Sequence, residues 1–185
     1  MEKLALNSCY NLSTLDLSGN INLKNLNCAD LNELNEIILT QNIQLESLVI
    51  EGINNLNSLD LTQNVNLNSL YLYSLYSLNE LNMTENILLE HLILIDLYDL
   101  KSLDLSTLDQ LKHLEISNIY QVDTFQFPTS NELEYLVLNE IWEINNFQSL
   151  NLSNFINLNH LEISGNYNIE EINLSNCTQL NLIVK

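Results

Sequence analysis

The chain has 185 residues, and its 24 acidic residues against five lysines and no arginine give a formal charge of −19 at pH 7. This balance argues against nucleic acid as a partner, because neutralising phosphates requires a basic surface. No signal peptide is visible at the amino terminus, and apolar runs such as residues 92–95 are far too short to insert into a membrane.

The first element along the chain is a short apolar motif, Leu-x-x-Leu-x-Leu, which recurs every eleven residues. Typical copies are Leu12-Leu15-Leu17, Leu23-Leu26-Cys28, Leu34-Ile37-Leu39 and Leu45-Leu48-Ile50. A period held over the whole chain predicts a solenoid, in which each repeat packs only on its neighbours. Since alternate residues of a strand point to one face, each motif predicts one short strand with its leucines directed inward.

The turn residue that follows each motif alternates between two kinds, so two motifs form one 22-residue coil. One corner carries Asn20, Asn42, Asn64 and Asn86, and the other carries Leu31, Ile53, Leu75, Leu97, Ile119 and Ile141. We expect the buried asparagines to bond to backbone groups and to stack as a ladder. The ladder should become irregular after Asn86, because Leu108, Ser130, Phe155 and Cys177 hold the later positions.

The two predicted sheets present different outward faces. On the first sheet, an exposed aromatic and aliphatic patch is expected, of the kind that marks a partner site. Its candidate binding residues are Tyr71, Tyr73, His91, Ile93, Ile95, His113, Glu115, Tyr135, Val137 and His160. The alternative is that parallel strands simply favour such residues and expose some of them. The second sheet is polar and acidic, as at Asp16, Asp60 and Asp104, which is typical of a solvated face.

The repeat slips once, because Leu136 and Leu150 are fourteen residues apart instead of eleven. Three extra residues are therefore predicted within 139–146, a segment that includes Trp142, the only tryptophan. Insertions in repeat proteins map to loops and often carry binding, so Trp142 is a further candidate binding residue. The alternative is a tolerated insertion whose tryptophan packs on the side of the solenoid.

No metal, cofactor or catalytic site is predicted. His91 and His113 fall in adjacent coils beside Glu115, but a transition metal needs three or four converging ligands. Three cysteines, Cys9, Cys28 and Cys177, do not suggest a disulfide framework. A polysaccharide-active enzyme of the β-helix type would need convergent ionisable groups, and no such set is apparent.

The motif resembles a known family. Leu12-Ser-Thr-Leu-Asp-Leu-Ser-Gly-Asn20 and Leu56-Asn-Ser-Leu-Asp-Leu-Thr-Gln-Asn64 match the leucine-rich-repeat signature Leu-x-x-Leu-x-Leu-x-x-Asn. Because the signature recurs in both halves of the coil, the chain is similar to bacterial internalin-like surface proteins of the nested, 11+11 subclass. Those proteins alternate Leu-x-Leu with Leu-x-Cys, and here Cys28 alone matches the cysteine position.

The resemblance implies a right-handed leucine-rich-repeat solenoid with two parallel β-sheets, about eight 22-residue coils and little or no α-helix. It implies one domain over residues 1–185, either complete or part of a longer adhesin, outside the cell or on its surface. A module that recognises a protein or a glycan is expected, and a structural spacer is the alternative. Solenoid ends normally carry polar caps, so the uncapped termini predict end-to-end stacking on further repeats or on another copy.

Overall fold

A computed structural model describes residues 1–142 and 147–184, and within this range the chain forms a solenoid of parallel strands without a helix. Longer and shorter strands alternate along the chain. The odd-numbered strands are β1 (Lys3–Asn7), β3 (Asn25–Ala29), β5 (Ser47–Glu51), β7 (Ser69–Tyr73), β9 (His91–Ile95), β11 (His113–Ile119), β13 (Tyr135–Ile141), β15 (His160–Ser164) and β17 (Leu182–Val184). The even-numbered strands are β2 (Thr14–Asp16), β4 (Glu36–Ile38), β6 (Ser58–Asp60), β8 (Glu80–Asn82), β10 (Ser102–Asp104), β12 (Thr124–Gln126), β14 (Ser149–Asn151) and β16 (Glu171–Asn173).

The odd-numbered strands form one continuous sheet of nine parallel strands in chain order. Facing residues lie one coil apart, so Leu70 is paired with Leu48 on one side and with Leu92 on the other. The predicted solenoid of 22-residue coils is thereby confirmed. The predicted second sheet is not continuous. The even-numbered strands that form it pair only in twos, β2 with β4, β6 with β8, β10 with β12 and β14 with β16. Each of these strands has three residues and offers few ladder hydrogen bonds, so pairing is not continuous there.

The motif leucines fill one core that runs through the solenoid. Leu23, Leu45, Leu67, Leu89 and Leu111 are completely buried at the same position of successive coils. The aliphatic corner is also buried, with exposures of 3% or less from Leu31 to Ile141. Burying one such side chain contributes about 1.5–3 kcal/mol, so the repeated motif supplies the driving force for stacking the coils.

The asparagine corner forms the predicted ladder. The Asn42 amide donates to the carbonyl oxygens of Leu17 (3.1 Å) and Asn20 (2.8 Å) in the preceding coil. Asn64 and Asn86 repeat both bonds at 2.8–3.1 Å, and all three side chains are fully buried. Their amide oxygens have no hydrogen-bond partner, so the ladder depends on the two donors of each amide.

Beyond Asn86 the corner changes as expected, since Leu108 is buried there without a polar group. Near the carboxyl terminus a thiol takes over the role of the amide. The Cys177 Sγ lies 3.2 Å from the carbonyl oxygen of Leu152, which is the same 25-residue separation as from Asn42 to Leu17. A side-chain donor therefore returns at this corner in the last part of the solenoid.

A column of left-handed residues, which was not predicted from the sequence, lies at the carboxyl ends of the strands of the nine-stranded sheet. Its members have φ between 52° and 65° and are Ser8, Asp30, Gly52, Ser74, Asp96, Asn118, Glu140 and Gly165. The backbone N–H of Asp30 donates to the Glu51 carbonyl oxygen at 3.1 Å, and the same bond recurs in other coils. Six of these residues directly follow a strand, and Asn118 and Glu140 lie one residue before the ends of β11 and β13. The left-handed backbone explains the preference for glycine and short polar side chains.

We predict that Gly52→Ala lowers the free energy of unfolding by about 1–2 kcal/mol, because a Cβ is strained in the left-handed region. The new Cβ would also lie 3.0 Å from the Asp30 carboxylate. Gly19→Ala is the matched control, since a Cβ there would meet nothing within 4 Å and the backbone is not left-handed. Urea denaturation compares the two variants, and equal midpoints would contradict the assigned strain.

The register shows where the extra residues lie. Ile119 faces Ile141 at a separation of 22 residues, whereas Tyr135 faces His160 at 25. Since the Gln148 carbonyl accepts from Glu170 at the regular separation, the three extra residues fall between Ile141 and Gln148. Residues 139–141 of the predicted segment belong to strand β13, and 143–146 lie outside the described residues.

Candidate binding surfaces

The outward face of the nine-stranded sheet brings together four of the predicted residues in a single stacked row. This row, the His/Tyr row, consists of His91, His113, Tyr135 and His160 on strands β9 to β15. Ring centroids are 4.2 Å apart between His113 and Tyr135 and 4.1 Å apart between Tyr135 and His160, with planes within 6° of parallel. His91 and His113 are farther apart, at 5.9 Å, and tilted.

Two further rows of the same face contain the other candidates. Tyr71, Ile93, Glu115 and Val137 face one another in the middle row, and Tyr73 faces Ile95 in the next. All are half-buried except Val137, which is only 3% exposed. The prediction that Val137 belongs to the exposed patch is therefore wrong. Its short side chain lies in register between the longer Glu115 and Glu162 of the neighbouring strands.

Partial burial shifts the pKa values of three side chains on this face toward their neutral forms. Burial, followed by the charges of His91 and His160, lowers the pKa of His113. Burial, followed by the charge of Glu162, raises the pKa of Glu115. Burial, followed by Glu115 and Glu162, raises the pKa of Tyr135, which keeps this phenol protonated. Each shift favours the neutral form, which loses less hydration than the charged form when a partner covers it.

Metal-binding groups do not converge in the part of the chain that the structure describes, because no three His, Cys, Asp or Glu side chains could share one ion. Cys28 is fully buried, and burial, followed by the charge of Cys9, raises the pKa of its thiol to about 12. Across residues 1–142 and 147–184, no helix is long and apolar enough to cross a lipid bilayer.

On the polar second side, aspartates hold the turns that follow the short strands. Asp16, Asp60 and Asp104 each accept a hydrogen bond from the backbone N–H two residues later, at 2.9–3.0 Å. Hydrogen bonds from the Ser18 side chain and backbone lower the pKa of Asp16, and those from Ser106 lower the pKa of Asp104. These carboxylates therefore have a local structural role that the sequence analysis did not assign to them.

A second aromatic array, the aromatic column, lies beside the left-handed residues. It consists of Tyr76, Tyr98, Tyr120, Trp142 and Tyr167, each two residues after a left-handed position. Centroids of successive rings are 4.9–5.5 Å apart along the whole column. The backbone N–H of Trp142 donates to the Ile119 carbonyl oxygen at 3.1 Å, so the tryptophan follows directly on strand β13.

The column was not predicted, because binding residues were expected only at the outward positions of strands and in the insertion. The available signal was the exact 22-residue spacing of Tyr76, Tyr98 and Tyr120 at turn positions. Polar side chains of the left-handed residues run alongside, where Asp96 accepts from Ser74 at 3.2 Å and from Asn118 at 2.7 Å. The molecule therefore has two separate aromatic surfaces, one on the sheet and one at its edge.

Comparison with known proteins supports the fold. No protein-family model matches the chain, and no curated protein matches it. Among solved structures, it resembles the functional domain of InlJ from Listeria monocytogenes, which includes a cysteine ladder, with 18% sequence identity and a TM-score of 0.51. The similarity covers 90% of this chain but spans only 45% of that protein. Here Leu6 and Ile50 flank Cys28 in register, in place of stacked cysteines. In its fold, this chain is similar to an internalin and is a leucine-rich-repeat solenoid.

Proposed function

We propose that this chain is a non-enzymatic recognition module that binds a protein or a glycan through the outward face of its nine-stranded sheet. The His/Tyr row is the observation that carries the proposal. Its rings stack at 4.1–4.2 Å in the centre, and Tyr71, Tyr73, Ile93 and Ile95 extend the same surface. Tyrosine and aliphatic side chains on a contiguous face are typical of interface cores.

The stacking also favours tight binding. His113 and Tyr135 each lie between two other rings of the row, on strands that are themselves paired on both sides. Binding costs free energy when side chains lose rotamer freedom, at about 0.5–1.5 kcal/mol for each mobile side chain. Rings that are already immobilised in the free protein avoid most of this cost, so the face is preorganised for a partner.

A hydrolase or lyase would require acid and base groups that converge on one substrate atom. On this face the ionisable side chains are instead spread along rows of successive strands, as His91, His113 and Glu115 are. The resemblance to internalins also supports three further proposals: a nested 11+11 repeat, a location at a bacterial surface and membership of a longer adhesin. Sequencing the full-length gene would test the last two.

The test uses a sheet-face variant that carries Tyr71→Ser, Ile93→Ser and Tyr135→Ser. Wild-type protein is passed over arrays of defined glycans and of purified extracellular proteins, and affinities are measured for every ligand retained. We expect the variant to lose at least about tenfold in affinity, since aromatic anchors of interfaces contribute about 2 kcal/mol or more each.

The matched control changes three exposed positions on the other side of the solenoid, with Glu36→Ser, Ser58→Ala and Glu80→Ser. It should retain wild-type affinity, because those strands face away from the nine-stranded sheet. Unchanged binding by the sheet-face variant would refute the proposed site. A wild-type protein that retains no ligand on either array would favour the structural spacer.

A further inference from the structure

We propose a second binding site, separate from the sheet face, in which a cleft beside Trp142 takes a neutral sugar ring of a glycan. The cleft is open to solvent and is lined by Lys101, Tyr120, Gln121, Asp123 and Trp142. Its volume of about 460 Å³ falls within the range of small-ligand sites, about 300–1,000 Å³. It occupies the aromatic column at the edge of the solenoid.

The indole ring is turned out of the stack that the tyrosines form. Tyr76 and Tyr98 lie 23° from parallel, whereas Trp142 makes angles of 66° with Tyr120 and 81° with Tyr167. Both contacts of Trp142 with its neighbours are edge-to-face, and 42% of Trp142 remains exposed. The negative face of an aromatic ring attracts the weakly positive C–H groups on one side of a sugar ring.

The orientation of Trp142 is fixed by a dedicated contact. The indole Nε1–H donates to Glu140 Oε2 at 3.0 Å. Glu140 itself belongs to the left-handed column, with φ of 52°. In the next coil the equivalent position is Gly165, where a Cβ would overlap the Glu140 carboxylate. Because residue 165 is a glycine, the Glu140 carboxylate has room to hold the indole. The indole, which would serve as the platform for the sugar ring, is therefore oriented before a ligand binds.

Polar groups around the platform match the hydroxyls of a sugar, which both donate and accept hydrogen bonds. The Lys101 ammonium donates to Gln121 Oε1, and the Gln121 amide donates to Asp99 at 3.1 Å, so these side chains are held in place. Asp123 adds an acceptor at the same cleft. Burial, followed by the charges of Glu140 and Asp96, raises the pKa of Tyr120, whose hydroxyl therefore stays protonated.

The charges of the cleft favour an uncharged ligand. Lys101 and Asp123 line the cleft together, so their opposite charges partly offset each other and the lining itself selects neither a cation nor an anion. An anionic glycan would meet Asp123 and Glu140 on a protein whose formal charge is −19. A neutral polyhydroxylated ring avoids that repulsion and uses the lysine donor, the amide and the carboxylate.

Trp142 provides its own assay, because it is the only tryptophan of the chain. Its fluorescence is followed during titration with neutral tetrasaccharides of β-1,4-linked glucose, mannose and N-acetylglucosamine, and binding is confirmed by calorimetry. At least one should produce a saturable change in emission with a Kd below about 1 mM. Asp123→Ala and Gln121→Ala should each weaken that binding about tenfold, since each removes a hydrogen bond to the ligand.

A control variant separates binding at this site from nonspecific adsorption to exposed aromatic rings. Tyr10→Ser should leave sugar binding unchanged, because the exposed Tyr10 lies in the first coil, away from the cleft and from the sheet-face residues. Trp142→Ala should abolish the calorimetric signal, and Trp142→Phe should retain part of it, since a smaller ring still offers a face. The proposal is overturned if no neutral probe gives a saturable signal, if Trp142→Ala binds as well as wild type, or if an arginine-rich peptide binds at the tryptophan instead.

Discussion

Asn64→Asp should destabilise the protein by about 3–5 kcal/mol at neutral pH, as expected for a buried charge without a partner. The substitution barely changes the shape of the side chain but removes both donors. A carboxylate oxygen would then face the carbonyl oxygens of Leu39 and Asn42, which the amide nitrogen now contacts at 3.1 and 2.9 Å. Asn64 is completely buried, so water cannot replace the lost bonds.

Equilibrium urea denaturation at several pH values measures this effect. The buried carboxyl should have a pKa raised above that of the unfolded chain, because burial disfavours its charged form. The deficit should therefore be full at neutral pH and shrink as the pH falls and the carboxyl takes up a proton. Asn20→Asp is the control, since Asn20 is partly exposed and only accepts a bond from the ladder. Equal losses in the two variants would show that the ladder does not stabilise the fold.

Leu70→Ala should cost about 2–5 kcal/mol, in the range measured for leucine truncation in tightly packed cores. Leu70 is completely buried and lies in register between Leu48 and Leu92 of the adjacent strands. Strand β7 is hydrogen-bonded on both sides, so its backbone cannot shift to close the cavity that the truncation leaves. Relaxation of the site is limited, and most of the cost should remain.

Leu88→Ala is the matched control, because 47% of Leu88 is exposed and it should change the free energy of unfolding by less than about 1 kcal/mol. Both variants are compared with wild type by urea denaturation followed by circular dichroism. An unchanged slope with a lower midpoint is expected if the array unfolds as one unit. Similar midpoints for the two variants would contradict tight packing of the core around Leu70.

The burial of side chains that point inward could be predicted from the sequence. The motif leucines, the aliphatic corner and the asparagine corner all repeat with a fixed period, because each coil must match the coil beneath it. The same period placed His91, His113, Tyr135 and His160 on one face, and the structure stacks them in one row. Because the coils stack, residues one repeat apart in the sequence are neighbours in space.

The turns were harder to interpret, since their side chains need not be apolar. The left-handed residues differ chemically, from Ser8 to Glu140, and share only a backbone angle. The four short strand pairs could not be distinguished from a continuous sheet by a pattern that is the same in every coil. Burial of Val137 depends on the length of its neighbours, Glu115 and Glu162, which the alternation of inward and outward positions does not encode.

The asparagine ladder has a direction. The amides of Asn42, Asn64 and Asn86 donate only toward the coil that precedes each of them in the chain, and Cys177 does the same. Chains emerge from the ribosome amino terminus first, so each new coil meets acceptors that already stand in place. Each coil that carries a ladder donor can therefore dock during synthesis on a preceding coil that has already folded.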